Sequence, residues 1–349
     1  MINHMEIKSV FKTYKVDFTN RYQIEPSHND VLVIDRKVMD IYGSRYNAFR
    51  HVFHIDANEE TKNMSSVLKL VDYLMEVDFT KKDTLFVVGG GITQDIGSMC
   101  AALFKRGVDW VYTPTTLLSM SDSCIGSKMG VNHNGSKNQL GTFYPPTRVI
   151  IDVSLLESLD TTAIHSGMGE ILKLYTLDKR PWDIPDLADA LKICLQIKKD
   201  IIEEDELEKT IRPCLNYGHT FGHIFESVSD FKIPHGVAVL MGMYVIDKYF
   251  NLNVKRFFPY INMIRRYSSH IKLDPDLILK HLKADKKVMG DKITLIKRRE
   301  FVEVDLNKGL VESVISIVKN DLLEEEGDDY DDYDDGEEKV KDVDSNDNK

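Results

Sequence analysis

The chain has 349 residues, 42% of them hydrophobic and 9% aromatic, with a formal net charge of −11 at pH 7. That is enough apolar mass for one large or two medium domains, and it excludes a fibrous or wholly disordered protein. The acidity is local: from Asp321 onward lie 15 of the 56 acids and 3 of the 45 bases, leaving 41 acids and 42 bases in the first 320 residues.

A balanced body lacks the broad basic surface that nucleic-acid binding needs. No apolar run reaches the roughly 20 residues of a membrane helix, and MINHMEIKSVFKTYKVDF has no signal-peptide layout. The expectation is a cytoplasmic protein with neither nucleic acid nor membrane as partner. Cys100, Cys124, Cys194 and Cys214 form no CxxC pair, which predicts buried free thiols.

In chain order, VLVID (31–35) reads as a buried strand, SSVLKLVDYLMEV (65–77) as a helix, and TLFVVGGG (84–91) as a strand running into glycines. ITQDIGSMCAALFKRG then reads as a helix closed by Gly107, and DWVYTPTTLL as another strand and turn. Strands alternating with helices predict a parallel sheet with helices on its faces. The segment 121–146, SDSCIGSKMGVNHNGSKNQLGTFYPP, is rich in Gly, Ser and Asn and reads as loop. From about Asp152 the apolar spacing becomes helical. The predicted organisation is an α/β domain over 1–152, a mainly helical domain over 153–322 and a disordered acidic tail over 323–349, whose like charges cannot offset the entropy of ordering.

Three sets of residues suggest chemistry. Gly89, Gly90 and Gly91 stand between a strand and a helix, where bare backbone approaches a pyrophosphate; the spacing is not GxGxxG, and a ligand-free turn would use the same glycines. Asp35 ends the first clear strand, where an acid can hold a ribose hydroxyl. In NYGHTFGHIFE, His219 and His223 share a helix face, and His235 opens another helix after Pro234. Glu170 in SGMGEILKLY, with Lys173 one turn on, adds a carboxylate. Two His and one Glu make a ligand set for catalytic zinc, although two ordinary histidines and a surface ion pair have the same spacing. The 121–146 segment carries Asp122, Lys128, Lys137 and Asn138, and its lysines suit an anionic substrate.

Taken together, GGGITQDIGSMCAALFKRG, PTTLLSMSDSCIGSKMGVN, KNQLGTFYPP, SGMGEILK, DELEKTIRPCLNYGHTFGHIFE and PHGVAVLMGM resemble, in this order, the sugar phosphate cyclases, most closely the 3-dehydroquinate synthase branch. The resemblance runs from about Val31 to Lys319. It implies a dehydroquinate synthase-like fold: a Rossmann-like α/β domain for NAD, a mainly α-helical domain for a divalent metal (zinc or cobalt), and the active site between them. By resemblance, Glu170, His219 and His235 are the metal ligands. Asp35, Glu59, Lys62, Gly90, Gly91, Asp95, Thr115, Thr116 and Lys137 contact NAD. Asp122, Lys128, Lys173, Lys198, Arg212, Asn216 and His223 are catalytic, with Asn138 and Lys286 (or its neighbour Lys287) holding substrate. Arg106 matches a residue that reaches the second subunit of a homodimer. The implied activity is that of a lyase of the shikimate pathway of aromatic amino acid biosynthesis, turning the seven-carbon acid phosphate DAHP into 3-dehydroquinate and phosphate.

Two departures keep other substrates open. Gly126-Ser127-Lys128 stands where the branch usually has GGK, and Tyr144-Pro145-Pro146 where it usually has Gln-Pro. The Pro-Pro form looks like cyclases of valiolone or inosose type, which act on neutral sugar phosphates. A metal-dependent polyol or glycerol-phosphate dehydrogenase would share the architecture.

Overall fold

The computed structural model describes residues 4–20, 24–184 and 186–323. The tail expected to be disordered therefore lies, beyond Leu323, outside the described residues.

The first half is a seven-stranded sheet. β1 (His4–Lys8) and β2 (Thr13–Thr19) form a hairpin; then follow β3 (Val31–Asp35), α1 (Arg36–Tyr42), β4 (His51–Ile55), α2 (Met64–Glu76), β5 (Leu85–Gly89), α3 (Gly91–Leu103) and β6 (Trp110–Pro114). A separate antiparallel ribbon, β7 (Lys128–His133) with β8 (Ser136–Phe143), precedes β9 (Arg148–Asp152), and the sheet order is β1-β2-β9-β6-β5-β3-β4. Every pairing in the sheet except β1 with β2 is parallel. VLVID is buried from Val31 to Ile34, because helices cover both faces and a strand so placed must be apolar on both sides. The chain turns one way from β3 to β4 and the other way from β3 through β5 to β6, which opens a crevice at the carboxyl ends of β3 and β5.

The second half is α4 (Thr161–Leu177), α5 (Leu187–Glu204), α6 (His219–Val228), α7 (His235–Tyr249), α8 (Ile261–Ser268) and α9 (Pro275–Lys283), then a small sheet β10 (Val288–Met289), β11 (Lys292–Lys297) and β12 (Glu300–Asp305), and α10 (Lys308–Ile317). α7 is buried without a break from Gly236 to Asp247, as expected of a central helix that is apolar all round. It touches α4 backbone to backbone: a Cβ on Gly169 would lie 1.9 Å from the Gly236 carbonyl oxygen, and one on Gly236 would lie 1.7 Å from that of Ser166. Only glycine permits this crossing.

Two sequence expectations change. Within 121–146, sixteen of the residues expected as loop, Lys128 to Phe143, form the β7–β8 ribbon instead. Its turn, Asn134-Gly135, has φ of +48° and +73°, the left-handed pair that a tight hairpin requires. The helical half also holds the β10–β12 sheet, whose Ile293/Val304 and Leu295/Val302 pairs put alternate apolar residues on one face. All four cysteines are free and buried, as expected. Among the described residues no helix is long and apolar enough to cross a membrane.

Candidate active site

Three helices converge on one point. Glu170 lies in α4, His219 is the first residue of α6, and His235 is the first residue of α7. Gly218, at φ +82°, turns the chain into α6, and Pro234 leads into α7 with the fixed φ suited to a helix entry. His219 Nε2 lies 3.6 Å and His235 Nε2 3.4 Å from Glu170 Oε1. A tetrahedral zinc with bonds of about 2.0–2.1 Å has ligand-to-ligand edges of roughly 3.3 Å, close to both separations. Glu170 Oε1 is buried and accepts no hydrogen bond, whereas Oε2 takes the Lys173 ammonium. A buried carboxylate oxygen left without a donor is costly, and a cation at this point would satisfy it. The donor set fits a divalent metal.

Charges extend from this point. Asp122, on a π turn at Ser119–Ser123, bonds Lys173 at 3.1 Å and Lys198 at 2.5 Å, and its backbone oxygen accepts from Lys198 at 2.6 Å. Burial alone would raise the Asp122 pKa, but the two ammonium groups outweigh it and hold the carboxylate well below its usual range. Arg212, only 4% exposed, donates from its guanidinium to the carbonyl oxygens of Glu206 and Gly126. Its charge is thus satisfied by carbonyls rather than by a carboxylate. Asp205 fixes this segment by accepting from the backbone N–H of Lys209, Thr210 and Arg212 at 2.7–3.0 Å. Lys128 pairs with Glu208 at 2.6 Å, and Asn216 donates to the same carboxylate at 3.3 Å.

The expected nucleotide residues line the carboxyl edge of the sheet. Asp35 ends β3 and caps α1; Gly90 caps α3; Thr115 and Thr116 follow β6. A Cβ on Gly91 would meet nothing within 4 Å, so open space faces the first turn of α3, where backbone N–H groups favour an anion. Behind it Lys62 bonds Asp95 at 2.7 Å and Asn138 at 2.8 Å, and Asp95 accepts from the Gly130 N–H. Lys137, on β8, stands between Glu59 and Glu226, 3.6 Å from each, and so faces both the nucleotide edge and the metal point.

Two expected residues stand apart. Arg106 is exposed beyond the far end of α3, in a stretch where Lys105, Arg106 and Gly107 all have positive φ. Lys286 faces solvent, while the neighbouring Lys287 is half-buried, bonds Asp285 at 2.8 Å and, after desolvation and His235, contributes to lowering the pKa of His223.

Sequence reasoning passed over Glu226, Glu206 and Glu208. Glu226 is buried and contacts His235 Nδ1 at 3.1 Å; it lies seven residues after His219, hence on the same helix face, which was a usable signal. Glu206 accepts from Ser127 and from the Val10 N–H. In the chain without metal, burial works against the charge on His235, but Glu226 and Glu170 outweigh it and raise its pKa to about 10, while Glu226 is held at about 2. His219, desolvated and beside Lys173 and His235, is pushed well below the usual value.

A parallel sheet with open space at the start of α3, joined to a helical half with a two-His, one-Glu centre, defines a two-part α/β fold. Solved structures share it: 2-deoxy-scyllo-inosose synthase complexed with carbaglucose-6-phosphate, NAD+ and Co2+ (TM-score 0.74, 22% identity, 89% of this chain and 99% of that one), and ValA, a 2-epi-5-epi-valiolone synthase from Streptomyces hygroscopicus subsp. jinggangensis 5008 with NAD+ and Zn2+ bound (0.73, 25%, 88% and 96%). Residues 52–166 match the 3-dehydroquinate synthase N-terminal family and residues 149–288 the 3-dehydroquinate synthase C-terminal family. The chain is 35% identical over 298 residues to the 3-dehydroquinate synthase of Pelagibacter ubique (76% of this chain, 81% of the relative), and 31% identical over 302 residues to that of Dictyoglomus turgidum (80% and 83%). The chain belongs to the 3-dehydroquinate synthase family.

Proposed function

We propose that this chain converts DAHP to 3-dehydroquinate and phosphate, with NAD and a divalent metal, zinc or cobalt, as cofactors. What carries the reading is the buried cation set beside the Glu170, His219 and His235 cluster. Lys198 and Arg212 are 6% and 4% exposed, and among the described residues Arg212 hydrogen-bonds carbonyl oxygens and no carboxylate; a substrate carboxylate would complete it as a bidentate pair. Neutral sugar phosphates bring no such group. The curated relatives point the same way: their name is 3-dehydroquinate synthase.

In this reading Glu170, His219 and His235 hold the metal, and the nine nucleotide-edge residues hold NAD. When bound, the metal lowers the pKa of a substrate hydroxyl and NAD takes and returns a hydride, so no net NADH accumulates. The protein's own groups do the positioning. Asp122 stays ionised between Lys173 and Lys198, which fixes the position of both ammonium groups. Lys128, Asn216 and Asn138 supply donors around the substrate hydroxyls, and His223 with Lys287 (or Lys286) faces the phosphate. Fixed charges of this kind cost no reorganisation during reaction.

The domain division at 152 is part of the proposal, supported by the sheet ending with β9 at Asp152. So is a homodimer, supported by the strained, outward Arg106, and a reducing cytoplasmic setting, supported by four free cysteines. Purified protein with NAD and zinc is expected to release phosphate from DAHP without growth of NADH absorbance. Release from sedoheptulose 7-phosphate but not DAHP would replace this substrate with a neutral one. Stoichiometric NADH would indicate a dehydrogenase.

A further inference from the structure

We propose that Glu226 is the positioning residue for the metal-binding nitrogen of His235, and that Lys137 holds Glu226 in place from the nucleotide side. The inference rests on the metal reading above and adds to it a residue outside the ligand set.

His235 is the least enclosed of the three ligands, its side chain 33% exposed against 12% for His219 and 2% for Glu170. As the first residue of α7, it has helix on one side only. An imidazole there can rotate about its side-chain bonds and exchange its two nitrogens, unless something fixes the ring. Two carboxylates do so from opposite sides: Glu170 Oε1 lies 3.4 Å from Nε2, and Glu226 Oε2 lies 3.1 Å from Nδ1. An ionised carboxylate only accepts hydrogen bonds, so Nδ1 carries the proton and Nε2 presents its lone pair to a metal shared with Glu170. A carboxylate at the outer nitrogen also makes the imidazole a more basic ligand. His219 has a neutral partner at its Nδ1 instead, the Tyr217 carbonyl at 3.3 Å.

Glu226 is itself held. Its second oxygen faces Lys137 Nζ at 3.6 Å, and that ammonium lies 4.2 Å from the centre of the Phe231 ring. The Glu226 backbone oxygen accepts from Phe231 N–H at 2.8 Å and from Ser229 Oγ at 3.0 Å, so the last turn of α6 is fixed around it. Lys137 belongs to β8 and also faces Glu59. The ring of a metal ligand in the helical half is thereby tied to the ribbon at the nucleotide edge.

The test measures zinc affinity by chelator competition on the full chain, together with the visible spectrum of the cobalt form. Glu226→Ala is expected to weaken zinc about 10–100-fold and to shift the cobalt bands. Glu226→Gln, which keeps shape and one acceptor, is expected to lose less, and Lys137→Met less again in the same direction. In 15N-histidine spectra of the zinc form, His235 should be protonated at Nδ1 in the wild type and mixed in Glu226→Ala. If Glu226→Ala fails to fold, the Gln variant decides: wild-type zinc affinity and an unchanged cobalt spectrum would overturn the proposal. So would loss of one of two zinc equivalents in Glu226→Ala with the other site untouched, since Glu226 would then be a ligand of its own, with His223 and His235 close by. Failure of the underlying reading looks different: wild-type protein would bind no zinc, or His235→Ala would bind it as tightly as wild type.

Discussion

Replacing Gly169 by alanine tests whether the α4–α7 crossing builds the metal point. The new Cβ would sit 1.9 Å from the Gly236 carbonyl oxygen, whereas non-bonded carbon contacts settle near about 3.5 Å. The two helices must therefore part by more than about 1 Å. Glu170 adjoins Gly169 and His235 adjoins Gly236, so the 3.4 Å between their ligand atoms would open by a similar amount. Metal–ligand distances tolerate only about 0.2 Å. Overpacking of this kind costs about 1–3 kcal/mol of stability, and a 1 Å misplacement at a catalytic centre about 100-fold in rate. The expected result is a folded variant, less stable by that amount in urea unfolding, with zinc weakened at least tenfold and kcat/KM down about 100-fold. Gly43→Ala, whose Cβ would meet only the flexible Met39 side chain at 3.4 Å, is the control expected to match wild type. If Gly169→Ala bound zinc like wild type and unfolded at the same urea concentration, the close crossing would not be what sets the site.

Two further outcomes follow from the same geometry. The Asp205 pKa falls from 3.8 to about 2; its burial opposes this, but three backbone N–H bonds prevail. A carboxylate with a depressed folded pKa contributes stability that is present above about pH 4 and lost as pH falls toward 2; Asp205→Asn should thus be less stable than wild type at pH 7, with the gap narrowing across that window in acid unfolding, and a gap independent of pH would contradict it. Lys62→Met leaves Asp95 buried beside no cation, and the expected consequence is weaker NAD binding by equilibrium fluorescence titration, with zinc affinity unchanged; loss of zinc instead would place Lys62 in the wrong half of the site.

What the sequence revealed depended on how each element buries its side chains. VLVID and TLFVVGGG were legible because strands covered on both faces become continuous apolar runs. β8 was not, because all its residues but Phe143 are exposed and no alternation marks it; the Asn134-Gly135 pair was the remaining cue. β11 and β12 join through Arg298-Arg299, with Arg298 at φ +57°, a turn without the glycine or asparagine that usually announces one. In the site, His219 was visible by its four-residue spacing to His223 on one helix face, His235 as the residue opening a helix after Pro234, and Glu170 by the small residues before it. Their meeting was not visible, since it comes from backbones that touch at Gly169 and Gly236, far apart in the chain. Glu206 and Glu208 were hidden among 56 acids, distinguished only by what they touch.

The N-terminal hairpin has a consequence for the order in which the chain can mature on the ribosome. β2 pairs in the sheet with β9, at residues 148–152, and the N–H groups of Lys8 and Val10 bond Glu203 and Glu206. β1 and β2 must therefore wait for some two hundred residues of further synthesis before their last partners, Glu203 and Glu206, exist. At about 5–20 residues per second, β2 waits roughly 7–27 seconds for β9, some 130 residues later, and the contacts of Glu206 with Val10 and Ser127 form only after α5 has been made.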